Sequence, residues 1–276
     1  MNHVAEALKA ADPDRYFATL VLPEAARGPI QALYAFNAEV ASVRDRAREP
    51  APGEIRLQWW VDALKGEGHG AVRANPIAAG LLDAIARYSL PAGPLLRLIA
   101  ARRFDLYDDP MPDLPSFEGY AGETASVLYQ LAAMILNDGA EIETGDAAGH
   151  LGVAQALVGH LRAFGLNAAR GRIFLPWSIL AANGVREGEL FAGTLNEGLL
   201  AAHAQFIDLA HSHLAEASRA ILALPKPLRP AFAPVALQPS YLRQIERHST
   251  TPLAPPAPLS DWRKIAAMTW WSVRHG

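Results

Sequence analysis

Three arginines and a histidine lie close together in the second half of this 276-residue chain: His160, Arg162, Arg170 and Arg172. A guanidinium offers planar pairs of donors that match the oxygens of a phosphate or a carboxylate. The run therefore has two readings, a phosphate grip or a loop fixed by pairing its arginines with nearby carbonyls and carboxylates. His160 is either a hydrogen-bonded interior group or a ligand or base, since an imidazole titrates close to neutral pH. Acidic metal donors are sparser. Glu39 precedes Asp45 by six residues, about 240° around a helix, so the two do not chelate jointly. Asp105 and Asp109, four apart in Asp105-Leu106-Tyr107-Asp108-Asp109-Pro110, read as a metal site or as a solvated helix end running into a proline turn. The chain has no cysteine, which excludes disulfides, thiolate metal sites and a cysteine nucleophile together, and which suits a reducing compartment.

Helices must position these groups. Apolar residues recur three or four apart through most of the chain, and alternating strand patterns are absent. Pro23 can open a helix running through Ile30, Leu33, Phe36 and Val40 to about Arg46. Further helices are expected at about 54–66, 76–87, 92–107, 116–137, 144–166, 196–223, 228–247 and 260–274. Pro110, Pro112 and Pro115 interrupt the chain before one of them, and Pro252, Pro255, Pro256 and Pro258 form a stiff linker before the last. Nothing marks a second domain, so residues 1–276 read as one all-α domain. Within 149–166, Gly152, Ala156, Gly159 and Ala163 fall near one helix face. Small side chains there allow either close helix packing or an open cavity lining.

Apolar residues make up 51% and charged residues 19%, a globular balance, and the net charge of −3 leaves no footprint for nucleic acid. No basic and apolar leader opens the chain, so no signal peptide is expected. No uncharged apolar run reaches the roughly 20 residues that span a bilayer. A cytoplasmic location is expected, with contact at most peripheral to the inner membrane. In Trp262–His275, tryptophans and basic residues interleave, as they do in interfacial helices and also in ordinary core helices with snorkelling Arg and Lys.

The loop Arg170-Gly171-Arg172-Ile173-Phe174-Leu175-Pro176 resembles the Arg-Gly-Arg-Ile-Tyr-Leu-Pro loop of the squalene/phytoene synthase superfamily. In that family the preceding helix carries two aspartates four apart; here those positions hold Ala163 and Asn167. Tyr16 to Pro23, then Arg27 and Ala32 to Phe36, are similar to the family's opening, which continues into an Asp-Asp-x-x-Asp cluster. The corresponding residues are Ala41, Ser42 and Asp45. Trp59 with Asp62, Asn75-Pro76, the segment from Tyr120 to Ser126, and Tyr241 to Arg247 match later family motifs in order. The resemblance spans about 14–248. Residues 35–45, 57–60 and 155–163 are also similar to a mitochondrial complex I assembly factor subfamily that lacks the full aspartate motifs. With no transit peptide, the chain reads as a bacterial member.

The resemblance implies an isoprenoid-synthase-type helical bundle around a central cavity. Such synthases ionise prenyl diphosphates with Mg²⁺ bridging the phosphate oxygens, and Mg²⁺ wants carboxylate ligands in octahedral array. Of the five acids expected, Asp45 alone remains. No catalytic residue and no metal site is therefore expected, and no cofactor. Tyr16, Arg27, Asp45, Tyr120, His160, Arg162, Arg170, Arg172 and Tyr241 are the candidate ligand-binding residues. The leading expectation is a protein without prenyltransferase activity that acts as an assembly or interaction factor. Its partners would be proteins, respiratory complex subunits among them, and a hydrophobic cavity would hold a lipid or isoprenoid. The alternatives are an active Mg²⁺-dependent transferase, using Asp45 with Asp105 or Glu123, and a lipid carrier at the membrane surface.

Overall fold

Prolines and small polar residues punctuate the chain, and helices fill the stretches between them. The computed structural model describes residues 3–47 and 49–276, and every regular element among them is helical. Two short helices come first, α1 (His3–Ala11) and α2 (Pro13–Thr19). They turn at Asp12, whose carboxylate caps α2 by accepting from the Arg15 backbone N–H. Then α3 (Glu24–Ala41) runs through the core with Pro29 inside it. A proline there deprives the carbonyl four residues earlier of its donor. That carbonyl belongs to Ala25, and the Tyr88 hydroxyl donates to it at 3.3 Å.

The one-turn helix α4 (Val43–Arg46) follows, and then α5 (Pro50–Lys65), α6 (Pro76–Tyr88) and α7 (Ala92–Arg102). Next come α8 (Leu114–Ala121) and α9 (Val127–Leu136), joined without a break by a π-helical turn over Gly122–Ser126. The central α10 (Gly145–Arg162) leads into α11 (Phe164–Ala169), α12 (Trp177–Ala182) and α13 (Glu187–Phe191). The long α14 (Glu197–Ala223) packs against α10 more extensively than any other pair of elements. The chain ends with α15 (Gln238–Arg247) and α16 (Asp261–His275).

The helical pattern is as the periodicity predicts, with breaks it did not foresee. The expected 24–46 helix stops at Ala41, where the Ser42 hydroxyl donates back to the Glu39 carbonyl and α4 starts afresh. The expected 144–166 helix parts at Ala163 into α10 and α11. The last turn of the expected 92–107 helix tightens to 3₁₀ over Arg103–Leu106. In the expected 228–247 helix, Lys226–Leu237 is 3₁₀, since Pro230 and Pro234 remove a donor every fourth residue. The short helices α1, α2, α12 and α13 carry too few turns to show a period.

One buried apolar cluster extends from Leu8 to Met268. Its centre is filled with aromatics: Tyr34, Phe36, Phe117, Tyr129, Phe206 and Phe232 are fully buried. Tyr129 stacks on Phe232 with ring centroids 5.6 Å apart.

Candidate functional site

The breaks after α3 and α10 lie opposite each other, and a cavity of about 420 Å³ opens between them. Ala41, Arg44 and Asp45 line it from one side, and Gln155, Ala156, Gly159, His160, Ala163 and Asn167 from the other. Arg170, Arg172 and Phe174 complete the rim, and Arg15, Arg102, Asp105, Tyr120 and Thr124 form the inner wall. Two features open this space. The π turn displaces Thr124 and Ala125 from regular helical register, a distortion common at functional sites. The stripe on α10 divides its work. A Cβ on Gly152 would fall 2.6 Å from the Ser126 backbone nitrogen, so Gly152 allows α10 to pack directly on the π turn. Ala156, Gly159 and Ala163 line the cavity instead.

Arginines hold both acids of the cavity. At the mouth, the Asp45 Oδ1 accepts from Arg170 Nη1 at 3.2 Å and from Arg172 Nη1 at 3.5 Å. The Asp45 side chain is 61% exposed. Arg172 also approaches Asp108, Nε to Oδ1 at 3.7 Å, and Arg44 donates to the same Asp108 oxygen at 2.8 Å. On the inner wall Asp105 is buried. Its Oδ2 accepts from Arg102 at 3.0 Å and its Oδ1 from the Tyr120 hydroxyl at 2.6 Å, while Arg102 donates to that hydroxyl at 2.7 Å. Burial pushes the Tyr120 phenol well above its usual range, which keeps it a donor to Asp105. Deeper still, Arg15 bonds Asp12 at 2.8 Å and Gln155 at 3.3 Å, and Gln155 accepts from Tyr129 at 2.6 Å.

His160 stacks on Phe174, centroids 5.0 Å apart, and meets the edge of Phe117. Burial first, and then the charge of Arg102, push its pKa down to about 4, so it stands neutral in the cavity wall at pH 7.

The structure gathers part of the expected site. Ala41, Asp45, Tyr120, His160, Ala163, Asn167, Arg170 and Arg172 meet at the cavity. Ser42 is spent on its local hydrogen bond to Glu39. Tyr16, Arg27, Arg162 and Tyr241 are not among the lining residues. Arg27 donates to the carbonyls of Thr19 and Leu22 and fixes the turn between α2 and α3. Tyr16 lies under Lys9, 5.7 Å from the ring centroid. Arg162 stacks over Tyr241 at 3.9 Å, and the Tyr241 hydroxyl donates to Asp14 at 2.6 Å. Asp105 is neither of the things its spacing suggested, since the chain leaves the helix before Asp109 and turns Asp105 inward onto Arg102. Glu123 pairs with Arg97 at 3.2 Å, outside the cavity lining. Sequence reasoning missed Arg15, Arg44, Arg102 and Gln155. Arg15 and Arg44 sit in helices too short to show a period, and in the longer helices of Arg102 and Gln155 the period marks them only as polar positions.

The squalene/phytoene synthase family model matches residues 8–263. The chain belongs to that family. It is 29% identical over 246 residues to the Bos taurus protein named NADH dehydrogenase (ubiquinone) complex I, assembly factor 6, which covers 89% of this chain and 74% of that protein. It is 27% identical over 267 residues to 15-cis-phytoene synthase of Synechococcus elongatus, covering 92% of this chain and 86% of the synthase. Among solved structures, a dehydrosqualene synthase in complex with ligand superposes with a TM-score of 0.82 at 18% identity, over 99% of this chain and 95% of that one. A squalene synthase from Alicyclobacillus acidocaldarius gives 0.73 at 21% identity, over 89% and 92%. At those identities the likeness establishes the fold, the helical bundle of isoprenoid synthases.

Proposed function

We propose that this family member does not condense prenyl diphosphates and acts instead as an assembly or interaction factor, its cavity able to take an anionic, phosphorylated lipid without metal. Identity to an assembly factor and to a phytoene synthase is nearly the same, so similarity alone does not separate the two. The observation that carries the reading is the state of the cavity's acids. Asp45 is occupied by Arg170 and Arg172, and Asp105 by Arg102 and Tyr120. The facing positions offer a methyl group at Ala163 and a neutral amide at Asn167. Mg²⁺ needs several hard oxygen ligands in near-octahedral geometry, with carboxylates neutralising it. Among the described residues no three His, Asp or Glu side chains are grouped to hold a metal ion. This donor set does not fit a multi-metal cluster, and no step of a reaction is routed through one.

The same cavity suits an anion. Arg15, Arg44, Arg102, Arg170 and Arg172 line it against two acids. Its lining mixes these charged groups with apolar ones, Ala41, Ala125, Ala156, Ala163, Leu166 and Phe174. The arginines suit a phosphate headgroup, and the apolar part of the lining suits the chain that such a headgroup carries. The test incubates purified protein with Mg²⁺ and labelled farnesyl or geranylgeranyl diphosphate. No condensed product is expected, and any turnover of such a product overturns the proposal. Capture of respiratory complex subunits by the tagged protein from a respiring cell of related origin is the positive counterpart.

A further inference from the structure

We infer that α16 and the groove beside it form a docking face for an anionic phospholipid surface. This inference is independent of what the cavity holds. The helix carries large apolar residues on its outer side as well as on its inner one. Its inner side is fixed: Met268 is fully buried, and the Lys264 ammonium reaches Asp14 at 2.8 Å. At the far end Arg229 donates to the His275 carbonyl at 2.9 Å. The outer side nonetheless carries Trp262, Trp270 and Val273 at 67%, 69% and 78% exposure, with Ile265 at 38%. At about 100° per residue, Ile265, Thr269, Trp262, Val273, Ala266 and Trp270 occupy one continuous arc of about 140°. Arg263 and Arg274 flank that arc on one side, next to Trp270.

A second feature adjoins this flank. A hollow of about 220 Å³ between α15 and α16 is lined by Arg243, Arg247 and Arg263, with Ser240 and Gln244, and no carboxylate lines it. Arg243 donates to Ser240 at 3.0 Å, and the acid of the same helix turn, Glu246, is directed to His211. Leu237, Leu259 and Ala267 complete its lining, and three guanidinium groups around so small a hollow suit a phosphate. Exposed tryptophans beside them suit the boundary between headgroups and acyl chains. The charge sign is local. With Lys264 spent on Asp14, the exposed charges of α15 and α16 are Arg243, Arg247, Arg263 and Arg274 against Glu246 and Asp261, in a chain whose total is −3. An anionic bilayer therefore attracts this face while the rest of the molecule is repelled, which fixes one orientation. A protein partner or a second copy would meet the tryptophans equally well but gives no reason for an acid-free triple-arginine hollow at their edge.

The test is flotation of the full chain with vesicles of phosphatidylcholine alone and of phosphatidylcholine with 30% phosphatidylglycerol. Binding to the second and not the first is expected, with a blue shift of tryptophan emission and release by 0.5 M salt. The Trp262→Ser, Trp270→Ser double variant should weaken partitioning at least tenfold. Arg243→Gln, Arg247→Gln and Arg263→Gln should each weaken it roughly fivefold, as about 1 kcal/mol per basic residue produces. All five side chains are exposed, so the variants should melt with the parent. Failure to float on anionic vesicles, or flotation unchanged in the variants, overturns the proposal. So does light scattering that finds a dimer which the tryptophan variant disperses, because the face would then belong to a second copy.

Discussion

Asp45 and Asp105 line the same cavity, and each is held by arginine, but they differ in how much water reaches them. Asp45 sits at the mouth, 61% exposed, between two guanidiniums at 3.2 and 3.5 Å. Asp105 sits on the inner wall at 9% side-chain exposure, bonded to Arg102 and Tyr120. Exposed ion pairs contribute little and exchange readily, whereas breaking a buried one strands a charge. The mouth is thus an exposed set of ion pairs, which in the proposed reading open for an incoming anion. The wall is a fixed part of the fold.

That contrast can be broken most strongly at the wall. Asp105→Ala should leave Arg102 buried without its counter-ion and take an acceptor from Tyr120, a loss of about 3–5 kcal/mol. Thermal melting should show a drop of roughly 6–15 °C. A shift below about 2 °C would mean that the inner network is as loose as the rim.

Acid should weaken the wall by a different route. His160 in the wall, and His203 buried on α14 beside Phe164, are both pushed down to about 4, by burial in each case and by Arg102 as well for His160. Between about pH 4 and 6.5 the unfolded chain binds protons that the folded one refuses, so stability falls as pH falls through that window. The two together are worth on the order of a few kcal/mol. Melting temperatures at pH 7 and pH 5 should differ by several degrees, and His160→Gln should narrow the gap. A gap of the same size in that variant would place the acid sensitivity elsewhere.

How much of this was legible in the sequence follows the same division. The helices were legible because α3, α6, α10 and α14 repeat their apolar residues over three turns or more. The mouth was legible as well, since Asp45, Ala163, Asn167, Arg170 and Arg172 lie in contiguous motif segments. The wall was not. Arg15, Arg102 and Asp105 come from three separate elements, and only the tertiary fold turns them toward each other. Asp105 was misread because a helical spacing to Asp109 was assumed where the chain tightens to 3₁₀ and then leaves the helix. Tyr16, Arg27 and Tyr241 lie outside the cavity lining although their motif positions are kept. Arg27 is spent on the turn after α2 and the Tyr241 hydroxyl on Asp14.

Within the mouth the two arginines are unequal, which sharpens the comparison further. Arg172 is 15% exposed and reaches both Asp45 and Asp108, while Arg170 is 48% exposed and reaches Asp45 alone. Arg172→Ala should lower stability by about 1–2 kcal/mol, a few degrees of melting temperature. Arg170→Ala should stay within about 1 kcal/mol of the parent. Equal effects would show that the loop does not depend on Arg172 reaching two carboxylates.

The smallest expected change in stability is the most informative about function. Asp45→Ala removes one exposed carboxylate, and its direct cost should stay below about 1 kcal/mol. It also releases Arg170 and Arg172 together. In a metal-dependent synthase, an aspartate at this position holds Mg²⁺, and its loss weakens binding of a diphosphate. In the proposed reading the aspartate competes with the anion for the same two guanidiniums, so its loss should strengthen binding. Calorimetric titration with a non-hydrolysable prenyl diphosphate should show affinity rising roughly two- to fivefold in Asp45→Ala, the order expected from removing one screened charge pair. The rise should be the same with Mg²⁺ and with a chelator. If the variant instead loses affinity, and loses it only when Mg²⁺ is present, Asp45 is a metal ligand after all and the cavity is a working diphosphate site.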